Sequence, residues 1–206
     1  MLDVCIVGNS GNLLKQNLGK KIDSCHDVVR IQKFKRDGFE EHVGAKLTVA
    51  SLAWREPNQV REFIEFGGID VEKHELWAAH PLVGERLHTA IAVLGQNKIW
   101  EGKVLTSGPD LYSRVIKDLY SDFWRKKPST GIMTIELALQ RFKDRKIYIC
   151  GFDNTLEKDH YYDPDHIDHF PPGMKVNGHN WEKEWERIQD LIKSGRISYV
   201  KDKNNG

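Results

Sequence analysis

Short apolar runs of strand length alternate with stretches of helical period along most of this chain, and that alternation constrains the fold more than any other feature. Val4–Val7, Val28–Ile31, Leu47–Leu52, Leu76–Ala79, Val104–Leu105 and Ile147–Cys150 read as strands. Between them Leu13, Leu14 and Leu18 share a helical face that Gly19 ends, and Val60, Phe63 and Ile64 mark another helix. Leu87, Ile91 and Leu94 continue the period, as do Leu111, Val115 and Leu119 with Ile116 widening the face. A helix runs from Pro128-Ser129-Thr130-Gly131 to about Phe142, and a last one carries Trp181, Trp185, Ile188 and Ile192 behind an Asn180 cap. Strands joined by crossover helices favour a mostly parallel sheet covered on both faces. The expectation is an α/β, Rossmann-like fold, with all 206 residues in one domain.

Charge and composition narrow the partners. Lys and Arg number 31 against 30 Asp and Glu, a net charge of +1 that lacks the basic footprint of a nucleic-acid binder. No apolar run approaches the roughly 20 residues of a membrane-spanning helix, and the opening run stops at Gly8, too soon for a secretory leader. Cys5, Cys25 and Cys150 are too few for a disulfide framework and favour a reducing compartment. A cytoplasmic protein is expected, at most touching the inner face of a membrane, with a polar tail from Lys201 to Gly206 that frays.

Two junctions between loop and helix stand out. Gly8-Asn9-Ser10-Gly11 follows the first strand, where glycines let backbone approach a phosphate or ribose and helix N–H groups favour anions. It matches neither the dinucleotide glycine pattern nor a Walker loop, and a plain tight turn explains it equally. Pro128-Ser129-Thr130-Gly131 places two hydroxyls at a helix N-terminus, which suits a phosphate or carboxylate and equally suits simple capping. Two such junctions in one chain fit a ligand that carries both a nucleotide and an acid.

Residues Asp153 to His179 break the pattern, with Pro164, Pro171, Pro172 and four histidines, and read as an active-site lid or wall. His160, His166, His169 and His179, with Asp163, Asp165 and Asp168, invite a metal site, but the prolines argue against the helix that would align them. His179 is the better chemical candidate, because the positive end of the last helix favours the neutral imidazole a general base requires. Glu184 falls in the first turns of that helix and either supports the loop or complements the dipole. Six tryptophans (Trp54, Trp77, Trp100, Trp124, Trp181 and Trp185) are many for this length, and at helical spacing Trp181 and Trp185 read as core.

Together these segments resemble the eukaryotic-type sialyltransferases, glycosyltransferase family 29. Cys5-Ile6-Val7-Gly8-Asn9-Ser10-Gly11-Asn12-Leu13-Leu14 is similar to the start of that family's large motif. Gly19, Ile22-Asp23, Asp27 to Arg30, Gly38-Phe39-Glu40, Val43-Gly44, Lys46 and Thr48 continue it. Pro128 through Phe152 resembles the small motif, His160-Tyr161-Tyr162-Asp163 the third motif, and His179 with Glu184 the very small motif. All four stand in family order. They set residues 1–50 as a nucleotide-binding segment, 128–152 as the small motif and 153–184 as the active-site loop.

The resemblance implies inverting, metal-independent transfer of a 2-keto acid sugar from a CMP-activated donor (CMP-sialic acid, CMP-Kdo or another) to a glycan or glycolipid hydroxyl, with no cofactor. It implies that Asn9 and the backbone of Ser10 and Gly11 contact CMP. Ser129, Thr130 and Gly131 would hold the donor's carboxylate or phosphate region, and Gly151-Phe152 would line the nucleotide pocket. His160 would assist departure of CMP, and His179 would take the acceptor's proton. Where the family has Arg-x-Asn this chain has Arg30-Ile31-Gln32, so contact between Gln32 and the donor is left open. The resemblance leads one to expect a bridge partner for Cys5 near Asp144, where none stands, and the expectation is a short bacterial or viral form without the family's anchor and stem. Two other readings remain: a metal-dependent phosphohydrolase built on the His/Asp loop, and a CMP-binding protein without catalysis.

Overall fold

A computed structural model of the chain describes residues 3–119, 127–153, 160–163 and 179–201. Among them seven strands form one sheet: β1 (Val4–Val7), β2 (Asp27–Ile31), β3 (Val49–Leu52), β4 (Glu75–Ala78), β5 (Val104–Thr106), β6 (Ile147–Cys150) and β7 (Ser198–Tyr199). They lie in the order β5-β4-β3-β2-β1-β6-β7, and every pair is parallel. The helices are α1 (Gly19–Ser24), α2 (Glu40–Val43), α3 (Pro57–Phe66), α4 (Glu85–Leu94), α5 (Gln96–Trp100), α6 (Gly108–Leu119), α7 (Thr130–Arg141) and α8 (Trp181–Lys193). None is long and apolar enough to cross a membrane.

The central strands are buried on both faces, which is why they read as continuous apolar runs rather than as alternation. In β1, Val4 and Ile6 face a core shared with α6, α7 and α8 through Leu111, Ile135 and Ile188. Cys5 and Val7 face the opposite core of Leu13, Leu18 and Ile22. Further along the sheet, Ala50, Leu52, Leu76 and Ala78 pack beneath α3 and α4 with Trp54 and Val60. Cys5, Cys25 and Cys150 are buried free thiols; hydrogen bonding with the Cys150 and Cys25 sulfurs, and then burial, push the Cys5 thiol well up.

One expected helix is redrawn. Leu13 and Leu14 belong to a 3₁₀ turn, Gly11–Lys15, and Gly19 starts α1 instead of ending a helix. A Cβ on Gly19 would lie 1.9 Å from the Glu40 carbonyl oxygen, so this glycine serves a close approach of α1 to α2. The short elements α1, α2, α5 and β7 are too brief to show a period and were not anticipated.

Much of the segment resembling the large motif is scaffold. The fully buried Arg30 donates from Nε to the Lys46 carbonyl (3.0 Å) and from Nη2 to those of Val43 and Gly44 (2.8 Å each). Asp23 accepts the N–H groups of Ala45 (3.0 Å) and Lys46 (2.8 Å), and Thr48 pairs its hydroxyl with the Val28 backbone. These bonds tie the α2–β3 connection to β2 and so fix where the carboxyl end of β2 emerges.

Candidate functional site

Chain order climbs outward from β1 to β5 and then returns to the other side of β1 for β6 and β7. The carboxyl ends of β1 and β6 therefore flank a topological switch point, the place where open parallel sheets bind ligands. Gly8 and Gly151 meet there back to back. The Gly8 N–H donates to the Cys150 carbonyl (2.8 Å) and the Ser10 N–H to that of Gly151 (3.2 Å). A Cβ on Gly8 would lie 2.3 Å from the Gly151 carbonyl oxygen, and Gly151 itself sits at φ 71°. A cleft of about 420 Å³ opens beside this junction, lined by Asn12, Leu13, Gly151, Phe152, Asp153 and Trp185. A smaller one, about 220 Å³, between Arg145–Tyr148 and Gly195–Ser198, lies at the amino end of β6 and holds none of the expected site residues.

Asn9 is held by its amide: Nδ2 donates to the carbonyls of Ile31 (3.1 Å) and Lys33 (3.0 Å). Its Oδ1 is buried with no hydrogen-bond partner, an acceptor placed at the switch point. The Ser10 hydroxyl is engaged within the protein, donating to the Asp153 carboxylate and accepting from the Asn12 N–H (3.1 Å). Gly11 opens the 3₁₀ turn beside it.

Gln32 stands at φ 56°, directly after β2. Its Oε1 accepts from the Ala53 N–H (3.0 Å) and its Nε2 donates to the Thr130 hydroxyl (3.1 Å). The longer amide thus bridges the ends of β2 and β3 to the start of α7. Ser129 caps α7, accepting from the Ile132 N–H (3.2 Å). It also donates twice to the buried Glu184, from its N–H (2.9 Å) and its hydroxyl (2.5 Å). By these bonds Glu184 clamps α8 to the mouth of α7 rather than to the Asp153–His179 loop. Replacing Glu184 by Gln turns one acceptor into a donor against a hydroxyl that already has a partner. A loss of about 1–2 kcal/mol in urea unfolding is expected, and an unchanged midpoint would count against the clamp. Gly131 lies under the Phe152 ring, whose Cε1 would be 3.3 Å from an added Cβ.

The described part of the long loop lies across the end of β1. His160 bridges to Ser10, and the Tyr161 N–H donates to the Asn9 carbonyl (3.1 Å). Tyr161 is buried and its hydroxyl donates to the Lys35 carbonyl, anchoring the segment. His160 Nδ1 lies 3.1 Å from the Tyr162 hydroxyl, whose pKa burial pushes up. His179 Nδ1 lies 2.6 Å from the Lys127 carbonyl oxygen. A carbonyl only accepts, so Nδ1 carries a hydrogen, and in the neutral ring the lone pair is on Nε2. Trp181 meets the same ring edge-on, with centroids 5.1 Å apart. His166, His169, Asp165 and Asp168 lie outside the described residues. Within those described, no group of three or more His, Cys, Asp or Glu side chains is arranged to hold a metal ion.

His80 is a residue the sequence did not single out. It follows β4, is 2% exposed, and has neither ring nitrogen hydrogen-bonded. Burial, and then the charges of Arg86, Arg55, His179 and Lys127, drive its pKa down to about 3. It sits in no recognisable motif, and only the fold brings it toward His179.

Known proteins resemble this chain in sequence and in fold. The model of glycosyltransferase family 29 (sialyltransferase) matches residues 2–196. CMP-N-acetylneuraminate-beta-galactosamide-alpha-2,3-sialyltransferase 1 of Homo sapiens is 30% identical over 164 residues, covering 77% of this chain and 47% of that protein. The corresponding sialyltransferase 2 of Mus musculus is 25% identical over 194 residues, covering 93% of this chain and 55% of the relative. The chain thus spans about half the length of the curated relatives it matches. The crystal structure of a mammalian sialyltransferase in complex with Gal-beta-1-3GalNAc-ortho-nitrophenol superposes with a TM-score of 0.68 at 22% identity. The match covers 96% of this chain and 68% of the other, a likeness of fold.

Proposed function

Because the chain belongs to glycosyltransferase family 29 (sialyltransferase), we propose that it transfers N-acetylneuraminate from its CMP conjugate to a hydroxyl of a galactose-terminated glycan, with inversion. The observation that carries this reading is the convergence on one edge of the sheet of all four segments that resemble family motifs. The β1 turn, the mouth of α7, the end of β6 with His160, and His179 all gather at the carboxyl ends of the strands.

In this reading CMP occupies the switch point, with Asn9 Oδ1 accepting from a donor on the nucleotide and the Gly8–Gly11 backbone beside its phosphate. The hydroxyls of Ser10 and Ser129 are already engaged, so recognition falls to backbone instead. The first N–H groups of α7, at Thr130 and Gly131, have no acceptor within the helix and face anions favourably. Gln32 acts at one remove, by fixing Thr130. His179 Nε2 takes the proton of the acceptor hydroxyl as its oxygen attacks the anomeric carbon. The bond from that carbon to the CMP phosphate oxygen breaks with its electron pair, and His160 steadies the departing phosphate by a hydrogen bond. The transition state is oxocarbenium-like, so a neutral base and a stabilised leaving group are what the chemistry requires.

CMP has a single phosphate, and no diphosphate needs a chelating cation. Release of CMP from CMP-N-acetylneuraminate with a β-galactoside present is therefore expected to proceed at the same rate with or without EDTA. Release abolished by EDTA and restored by a divalent metal would shift the reading to the phosphohydrolase. Tight CMP binding without release from any CMP-linked 2-keto acid would leave a binding protein.

A further inference from the structure

A second polar cluster lies on the same edge of the sheet, at the ends of β4 and β5. His80 follows β4, and Ser107 follows β5 with its N–H donating to the Ala78 carbonyl (3.2 Å). Among the described residues four side-chain atoms here are buried without a hydrogen-bond partner: both His80 nitrogens, Arg86 Nε and Ser107 Oγ. His80 and Ser107 are at least nine-tenths buried, at 2% and 4% exposure. The Tyr112 ring packs edge-on to His80, with centroids 5.7 Å apart. Arg55 and Arg86 both act electrostatically on His80 and on Tyr112, and Glu85 is the acidic neighbour of Arg86.

Buried donors without acceptors cost free energy unless something satisfies them, and here every group can donate. Two guanidinium groups and a neutral imidazole with a hydroxyl beside them match an oxyanion in charge and in hydrogen-bond sense. Position then decides which substrate brings it. The cluster lies toward β4 and β5, away from the β1–β6 switch point, and His179 is among the charges His80 feels. A group on that side of the base belongs to the molecule whose hydroxyl the base deprotonates.

Resting on the transferase reading above, we infer that His80, Arg86, Arg55 and Ser107 form an anion subsite for the acceptor. The preferred acceptor is then an acidic glycan, bearing a carboxylate or sulfate on the sugar that is attacked or on its neighbour. The same cluster holds the acceptor's orientation before the donor sugar is transferred.

Calorimetric titration in the presence of CMP tests this with two probes, a galactose-terminated disaccharide and the same disaccharide carrying a sulfate. The wild type is expected to bind the sulfated form at least tenfold more tightly. Arg86→Gln and Arg55→Gln, both removing charge without burying a new group, are expected to bring the two affinities together while CMP affinity stays unchanged. Equal binding of both probes by the wild type would overturn the subsite. So would arginine variants that weaken CMP-N-acetylneuraminate binding and leave the acceptor preference intact, because the anion would then be the donor's. Failure to bind CMP at all would instead sink the transferase reading, so the two failures are separable.

Discussion

Replacing His179 by alanine is expected to lower transfer by about 10²–10⁴-fold while CMP binds as before, the range over which a positioned general base accelerates proton transfer. The expectation rests on the tautomer. The 2.6 Å contact between His179 Nδ1 and the Lys127 carbonyl places the neutral ring's lone pair on Nε2 and fixes the plane of the ring. Asn180 caps α8 immediately after it, and Trp181 supports the ring edge, so the residues that follow His179 hold the imidazole in place. His179→Gln keeps a similar volume and a donor but removes the basic nitrogen, and should fall with alanine. Measuring kcat for transfer beside the Kd for CMP separates a lost base from a collapsed site. A rate within a few fold of wild type in either variant would remove His179 from the reaction. A loss confined to CMP affinity would make it a structural residue instead.

The fold was legible wherever an element was long enough to show a period or apolar enough to be buried on both faces. Each of the six strands read from apolar runs has its counterpart in the sheet, because a parallel strand with helices on both faces leaves no polar alternation to misread. What escaped were α1, α2, α5 and β7, which run from two to six residues. Gly19 was misplaced for a related reason: a glycine ends helices so often that its other use, letting two backbones touch, carries no separate signal.

The site was legible as motif residues but not as bonds. The resemblance makes Ser129 a donor contact and leaves Gln32 open, and in the structure their side chains hold Glu184 and Ala53 with Thr130. A residue type that suits a ligand suits an internal hydrogen bond equally, and sequence alone does not decide between them. The reverse holds for His80. Its burial without partners arises only when β4 ends beside β5 and α6, and no spacing along the chain announces it.

Gly8→Ala is expected to cost on the order of 3 kcal/mol of stability. The reason lies in how two strand ends share the switch point. The added Cβ would stand 2.3 Å from the Gly151 carbonyl oxygen and 2.9 Å from its carbon, both backbone atoms that no rotamer change can move. Gly151 has little room to yield, since it holds φ 71° and a Cβ on it would lie 2.7 Å from Leu13 Cδ1 and 2.8 Å from the Gly8 carbonyl oxygen. Relief therefore requires the ends of β1 and β6 to part, breaking the bonds from Gly8 and Ser10 to Cys150 and Gly151. A shift of about 1 Å there displaces Asn9, Ser10 and Phe152 together, enough to weaken ligand positioning by roughly 10²-fold. Gly195→Asn supplies the control. That glycine also has a positive φ, 71°, but nothing lies within 4 Å of its missing Cβ, and asparagine is the next-best residue after a helix. Urea unfolding and CMP titration of the two variants should diverge sharply: Gly195→Asn close to wild type in both, Gly8→Ala impaired in both. If Gly8→Ala instead kept its CMP affinity, the nucleotide could not be seated on this junction, and the cleft beside Trp185 would have to be reassigned.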